Sequence, residues 1–194
     1  DKALRLICTV PIASLDIKPM IFSPDGDGKK DTIKITPNVF AKDPSKVTGW
    51  ELIIKKRDEK DEKKSIEIMT FKGSGMPKDA ITWDGKNTGK LVVDSVNNYM
   101  AEMKVTDHKG TGTSGNTLFQ TDVFLEKTNR GMRVNVSAVQ FKSDSPKLQP
   151  QFHYILDRIY NFLLEYPEYK FIVIEGHTSY GPVEKNLKLS GARA

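Results

Sequence analysis

Short runs of apolar and β-branched residues, separated by turn residues, fill the chain up to about residue 128. Four of these runs alternate in part between apolar and polar positions: WELIIKK (50–56), SIEIMTF (65–71), YMAEMKV (99–105) and TLFQTDVFL (117–125). The stretches between them are rich in Gly, Asp and Asn, and no segment keeps a 3.6-residue period. Because each half-solvated sheet must cover its apolar face, this spacing predicts an antiparallel all-β sandwich over residues 1–128.

From residue 132 onwards the pattern changes. RVNVSAVQF (133–141) is typical of a strand, and FIVI (171–174) of a strand buried on both faces. Between them, apolar residues recur at steps of three and four, which predicts a helix that ends at Pro167; a second helix is predicted around 184–194. The order β-α-β-α predicts a multi-domain chain, with an α/β domain over residues 132–194 and a boundary near KTNRG, 127–131.

Composition narrows the function classes. Hydrophobic residues make up 38% and charged residues 28%, which is ordinary for a globular protein, and no apolar run reaches the length of a membrane-spanning helix. The net charge is +5, but the densest run, KKRDEKDEKK at 55–64, mixes six basic with four acidic residues. Its field largely cancels, so this run predicts a solvated hairpin tip and no nucleic-acid partner.

Three stretches suggest chemistry. In SPDGDGKKD (23–31) the aspartates resemble a calcium loop, but an EF-hand register places Lys30 and Thr36 where glycine and glutamate belong. A tight turn is the first interpretation there, with a bound cation as the alternative. GTGTSG (110–115) precedes a strand instead of a helix, so we expect a hairpin loop and no dinucleotide. Trp83 is interpreted as a core residue followed by a turn.

No catalytic constellation stands out. His177 and Ser179 lack a third partner, and none of the three histidines has metal-ligand spacing with other His, Cys or acidic residues. The sequence therefore predicts a non-catalytic protein without metal or cofactor. Because the chain starts at Asp1 without a methionine, we expect a fragment of a longer precursor.

Two family resemblances refine this view. FSPDGDGKKD, ITWDGK and NNYMAEMKVTDHKG resemble the immunoglobulin-like domain related to the flagellar hook-capping protein, over roughly residues 15–126. That resemblance implies an extracytoplasmic spacer or interaction module without catalysis, with an envelope protein as its partner.

The motif F-x-x-x-S-x-x-L, matched by Phe141, Ser145 and Leu148, is followed by IVIEGHTS and NLKLSGARA. Together they resemble the C-terminal domain of the OmpA family over residues 132–194, which the chain matches only in part, so we expect that domain to be truncated at its C-terminus. The resemblance implies a periplasmic or cell-envelope protein of a diderm bacterium that binds the peptide stem of peptidoglycan.

The resemblance also implies a site. Arg193 corresponds to the guanidinium that binds the carboxylate of a stem diamino acid, with Thr178, Ser179 and Asn186 as hydrogen-bonding neighbours. Two departures stand against it: Ser179 replaces the family acid, and Lys142 stands where the family often has another acid. Two hypotheses therefore remain open, peptidoglycan association with the sandwich as spacer, and a degenerate pocket that serves as a structural or protein-interaction scaffold.

Overall fold

The structure is a computed structural model that describes residues 10–58, 61–110, 112–129, 131–136, 139–167, 173–175, 178 and 182–194. The chain divides into two compact units, an N-terminal unit that ends at Arg133 and a C-terminal unit that begins at Val134.

Ten strands of the N-terminal unit form two larger sheets and one small hairpin: β1 Ile12–Lys18, β2 Ile21–Phe22, β3 Ile33–Phe40, β4 Val47–Lys56, β5 Ile66–Ser74, β6 Ile81–Trp83, β7 Lys86–Asn87, β8 Lys90–Leu91, β9 Asn98–Asp107 and β10 Ser114–Thr121. One sheet has the order β1-β3-β6 and the other β2-β10-β9-β4-β5. All neighbours are antiparallel except β2 and β10, which pair in parallel. A separate hairpin joins β11 Glu126–Thr128 to β12 Gly131–Arg133.

Strand β9 shows why these segments form strands. Its residues Tyr99, Ala101, Met103 and Val105 are buried in a period of two, which places them all on one face of the sheet. β9 lies between β10 and β4, so both of its backbone edges are hydrogen-bonded. The four strands predicted near 50–56, 65–71, 99–105 and 117–125 are thus confirmed as β4, β5, β9 and β10.

The core of the N-terminal unit lies between the two larger sheets and contains buried side chains from both. Its centre is aromatic, because the rings of Phe22, Trp83, Tyr99 and Phe119 lie with centroids 5.5 to 6.3 Å apart. The prediction for Trp83 is confirmed, since its indole is buried and its Nε1 donates to Lys86 O at 2.8 Å. Gly85, inside that turn, has a φ of 74°, which an L side chain rarely adopts.

The C-terminal unit contains two helices, α1 His153–Leu164 and α2 Val183–Arg193. α1 is preceded by a 3₁₀ turn, Pro150–Phe152, and buries Ile155 completely. Two further 3₁₀ turns, Pro44–Lys46 and Glu62–Lys64, belong to the N-terminal unit. Both predicted helices are confirmed, and in α1 steps of three and four place apolar residues along one side of the helix.

The predicted fold class is wrong. We expected a multi-domain chain in which an immunoglobulin-like sandwich precedes an α/β domain; instead the structure is mostly β-strand (41%) with few helices (19%), and no OmpA-like α/β domain is present in the described residues. Among the described residues after Arg133, the only β pairing is an isolated bridge between Phe141 and Leu148. The described part of 133–141 forms no strand beyond Arg133, and Val173 and Ile174 are exposed and outside any strand. An apolar run becomes a strand only where another strand accepts its backbone hydrogen bonds.

Candidate functional site

The described residues of the C-terminal unit contain a short closed loop, residues 141–148, here called the bridged loop. Its ends pair through the Phe141–Leu148 bridge, and Lys142 N donates to Lys147 O at 3.1 Å. Inside it, Ser145 N donates to Lys142 O at 3.1 Å, and Asp144 has a φ of 52°. Asp tolerates this left-handed conformation better than most residues, so the chain turns back on itself within a few positions.

Helix α2 contacts the bridged loop through Arg193. The side chain of Arg193 is half-buried, and its Nε donates to Ser145 O at 3.2 Å. The guanidinium carbon lies 4.9 Å from the centroid of the Phe141 ring, which is the geometry of a cation–π contact. Two independent contacts, one to a backbone carbonyl and one to a ring face, therefore fix the plane of this guanidinium.

A second basic side chain of α2 reaches the same loop. Lys185 Nζ lies 3.0 Å from Asp144 Oδ1 and donates a hydrogen bond to it. Both side chains are largely exposed, at 61% for Lys185 and 69% for Asp144. Exposed pairs of this kind stabilise a fold by at most about 1 kcal/mol. The contact therefore adds little to the stability of the unit.

The structure describes three of the four remaining predicted site residues. Thr178 is half-buried, and its Oγ1 donates to Asn186 Oδ1 at 3.3 Å, so these two are brought together near the start of α2. Lys142 has an exposed side chain. Ser179 and His177 lie outside the described residues.

Sequence reasoning did not identify Asp144 or Lys185 as site residues, and it noted Phe141 and Ser145 only as parts of a motif. No periodicity in the sequence marks these residues. They come together only because α2 contacts a loop far earlier in the chain: Ser145 and Arg193 are 48 positions apart. The only signal in the sequence is the SDSP turn at 143–146, which begins two residues after Phe141.

A different polar cluster occupies the turn between β2 and β3. One carboxylate oxygen each from Asp25, Asp27 and Asp31 lies within 4.8 Å of the others. Asp31 accepts hydrogen bonds from Gly26 N at 2.6 Å and Gly28 N at 2.8 Å, which close the turn. The predicted tight turn is thus confirmed. Carboxylate oxygens are ligands that Ca²⁺ accepts, so these three side chains are the described residues with the chemistry to hold such an ion.

Three negatively charged carboxylates lie close together in this turn. Partial burial raises the pKa of the Asp25 carboxyl, and the negative charges of Asp27 and Asp31 raise it further. A hydrogen bond from Asp27 N to Asp25 Oδ1, at 3.2 Å, acts in the opposite direction and is outweighed. The charged form of Asp25 is therefore less favourable in the folded protein than in the unfolded chain.

Comparison with family models, curated proteins and solved structures found no match to the chain. Among the described residues, no helix is both long enough and apolar enough to cross a membrane.

Proposed function

We propose that this chain is a non-catalytic cell-envelope protein of a diderm bacterium whose C-terminal unit associates with peptidoglycan in the periplasm. The N-terminal β unit then acts as a spacer or as an interaction module for an envelope protein. The observation that carries this proposal is the fixed guanidinium of Arg193, held against Phe141 and Ser145 O. These three residues belong to the two sequence motifs that suggested the ligand.

A fixed guanidinium is suited to a carboxylate. Its five donors lie in one plane and can bind both oxygens of a carboxylate in parallel. The bond from Nε to Ser145 O uses one donor and sets the direction in which the fork points. Orientation before binding lowers the entropy lost when the ligand arrives. The stem peptides of peptidoglycan carry such carboxylates.

A second candidate function is a scaffold that no longer binds peptidoglycan. The same two contacts favour it, because an arginine that stacks on a ring and donates to a carbonyl can have a purely structural role. Ser179 in the position of the family acid, and Lys142 in that of another, support this alternative. The two candidates differ in whether Arg193 touches a ligand.

Co-sedimentation of the full chain with purified peptidoglycan sacculi tests the proposal. We expect the wild-type chain to pellet and Arg193→Ala to lose about tenfold or more in affinity, the size of one hydrogen bond to a charged group. Arg133→Ala is the matched control: it removes an arginine of the N-terminal unit, which pairs with Glu126 at 2.7 Å. Circular dichroism verifies that both variants fold.

The scaffold hypothesis predicts another pattern. The wild-type chain then stays in the supernatant, and Arg193→Ala changes only stability. Pelleting that appears in Ser179→Asp but not in wild type would identify a pocket that lost its ligand together with its acid. Equal pelleting of wild type, Arg193→Ala and Arg133→Ala would mean that sacculi bind elsewhere and would contradict both candidates.

A further inference from the structure

We propose that the open edge of β3 at residues 37–40 binds an extended, uncharged segment of a partner protein, which adds to the sheet as an extra strand in line with β6. β6 pairs with β3 only at residues 33–35, whereas β1 pairs with β3 over residues 34–40. The inference deepens the role of the N-terminal unit as an interaction module, and it rests on that part of the proposed function.

A hydrogen bond of β1 shows which way the backbone of Val39 points. Ala13, the partner of Val39 in β1, donates its N–H to Thr113 Oγ1 at 3.1 Å, on the side away from β3. In an antiparallel ladder, directly opposed residues either exchange both backbone hydrogen bonds or exchange none. The Ala13–Val39 pair is of the second kind, so the N–H and C=O of Val39 point to the open edge of β3.

The position of Pro37 agrees with this assignment. Its partner Leu15 accepts at its carbonyl from Thr117 Oγ1 at 3.0 Å, again on the side away from β3. Proline has no N–H, and in sheets it occurs where the missing N–H would face an open edge. The edge thus presents one donor, on Val39, and two acceptors, the carbonyls of Val39 and Pro37. Among the described residues, none of these groups has a hydrogen-bond partner outside the strand ladders.

A cleft of about 420 Å³ lies along this edge. It is lined by residues 37–40 of β3, by Ile12 and Ser14 of β1, and by Met76 and Pro77 from the segment between β5 and β6. Volumes of about 300–1,000 Å³ are usual for ligand-binding clefts. The cleft therefore has space for a few residues of an extended chain.

The lining selects the chemistry of that chain. None of the residues that line the cleft has an ionisable side chain. A charged group that entered would lose hydration without gaining a charged partner, which costs free energy. Ile12 and Phe40, a cross-strand pair in the lining, are 44% and 69% exposed, so covering them is favourable. The occupant is therefore an uncharged segment with apolar side chains.

The three backbone groups determine how the segment pairs. In an antiparallel alignment, one residue of the segment exchanges both backbone hydrogen bonds with Val39, and an N–H two positions away donates to Pro37 O. In strand addition of this kind, main-chain hydrogen bonds give affinity and side-chain contacts give specificity. The added strand continues the ladder of β3 beyond the point where β6 ends.

NMR titration of the isotope-labelled full chain with a short peptide tests the inference. The probe is an acetylated and amidated pentapeptide of alternating threonine and valine, and its control is the same peptide with every backbone nitrogen methylated. We expect the probe to bind saturably and to shift the amide resonance of Val39. Methylation should weaken binding about tenfold, because it removes two neutral hydrogen bonds.

Val39→Pro removes the N–H at the open edge and leaves the ladder with β1 intact, as Pro37 does two positions earlier. It should bind the probe about two- to tenfold more weakly. Val39→Ala, the matched control, keeps the N–H and should bind like wild type. Phe40→Ala should weaken binding about fivefold through lost apolar contact. Leu118→Ala, which truncates a 46% exposed residue of β10, should leave binding unchanged.

Equal binding of the two peptides, or unchanged binding by a folded Val39→Pro variant, would overturn the inference. Circular dichroism verifies that the variants fold, and if Val39→Pro does not, the methylated peptide still decides. A dimer that forms as the chain is concentrated, and that Val39→Pro abolishes, would assign the edge to a second copy of this chain and overturn the assignment to a partner segment.

Failure of this inference differs from failure of peptidoglycan association. If wild type pellets with sacculi but the probe does not bind, the inference alone fails. If the probe binds with the expected variant pattern while wild type stays in the supernatant, peptidoglycan association fails and the interaction role of the N-terminal unit is supported.

Discussion

The two units of this protein differ in how much of their apolar surface they cover. Of the apolar side chains that are buried in the described residues, twenty belong to the N-terminal unit and two, Phe152 and Ile155, to the C-terminal unit. Tyr160 and Leu164 on α1 remain more than 60% exposed. Two sheets can enclose a continuous core, whereas the described helices and loop of the C-terminal unit bury only a small cluster. Core packing therefore dominates the N-terminal unit, whereas the described contacts between α2 and the bridged loop are made by charged side chains.

This difference matters for function. In the N-terminal unit the buried rings pack closely against one another in the core. In the C-terminal unit the contacts between α2 and the bridged loop involve charged groups near solvent. Such groups can exchange an internal partner for an external one at little cost in free energy. A binding site is therefore more compatible with the second kind of contact.

Phe119→Ala is expected to cause the largest loss of stability, and this loss should be confined to the N-terminal unit. Phe119 is buried and its ring lies within 6.3 Å of the rings of Phe22, Trp83 and Tyr99. Its truncation should lower the free energy of unfolding by about 3–5 kcal/mol, through lost burial and a cavity that rigid sheets cannot close. Urea unfolding followed by tryptophan fluorescence measures this, because both tryptophans, Trp50 and Trp83, belong to the N-terminal unit.

The control for that measurement is Phe40→Ala. Phe40 ends β3 and is 69% exposed, so the same chemical change should cost at most about 0.5 kcal/mol. Similar losses in both variants would show that buried aromatic packing does not distinguish this unit.

Ile155→Ala is expected to lower the free energy of unfolding by less than Phe119→Ala does, and the loss should be seen by circular dichroism instead of fluorescence. Ile155 is the fully buried residue of α1, and its truncation should cost about 2 kcal/mol, the lower end for this change, because a small core can relax around the gap. The loss should appear in the helical circular dichroism of the chain and leave the tryptophan transition in place. Leu156→Ala, next to it and 47% exposed, is the control.

An Ile155→Ala variant that shifted the tryptophan transition as far as the helical one would show that the two units do not unfold independently. Both units would then unfold as one cooperative structure, and their cores could not be treated separately.

The smallest effect concerns Asp25, whose raised pKa reflects partial burial and the nearby charges of Asp27 and Asp31. Because the folded protein holds this proton more tightly than the unfolded chain, the carboxylate destabilises the fold at neutral pH. That cost disappears as the pH falls through the raised pKa. Asp25→Asn should therefore stabilise the N-terminal unit by up to about 0.5 kcal/mol at pH 7 and by less under acidic conditions.

Thermal unfolding of both proteins between pH 7 and about pH 3, in a buffer with a chelator, measures this difference. Asp79→Asn, on an exposed loop residue, is the matched control and should change the unfolding temperature little at any pH. A gain in stability for Asp25→Asn that grew as the pH fell would have the wrong sign for a carboxyl whose pKa is raised by folding.

Much of the N-terminal fold could be predicted from the sequence. The alternation in YMAEMKV and the turn residues around it were sufficient for β9, since a half-buried strand shows its pattern locally. Strand β3 was not predicted, although Ile33 and Ile35 are buried in it, because Pro37 and Asn38 within it favour turns. Pairing with β1 over residues 34–40 outweighs those local preferences.

In the C-terminal unit the sequence predicted the two helices better than the two strands. The stripe that ends before Pro167 and the segment around 184–194 did form helices, since helical hydrogen bonds lie within the segment itself. Of the site, Arg193, Thr178 and Asn186 were identified in advance, while Asp144 and Lys185 were not. Motif spacing indicates which residues a family uses, but an ion pair across 41 positions depends on the fold.

The sequence by itself determined where this chain forms helices, which of its β runs alternate and where it turns. Only the tertiary structure decided that the described parts of 133–141 and 171–174 would not form the expected α/β sheet. It also decided that α2 would bring Lys185 to Asp144 and Arg193 to Ser145 on the bridged loop. The physical reason is the range of the interactions. Helices and turns satisfy their backbone within a few residues, whereas strands and charged pairs require partners that the chain brings near only when it folds.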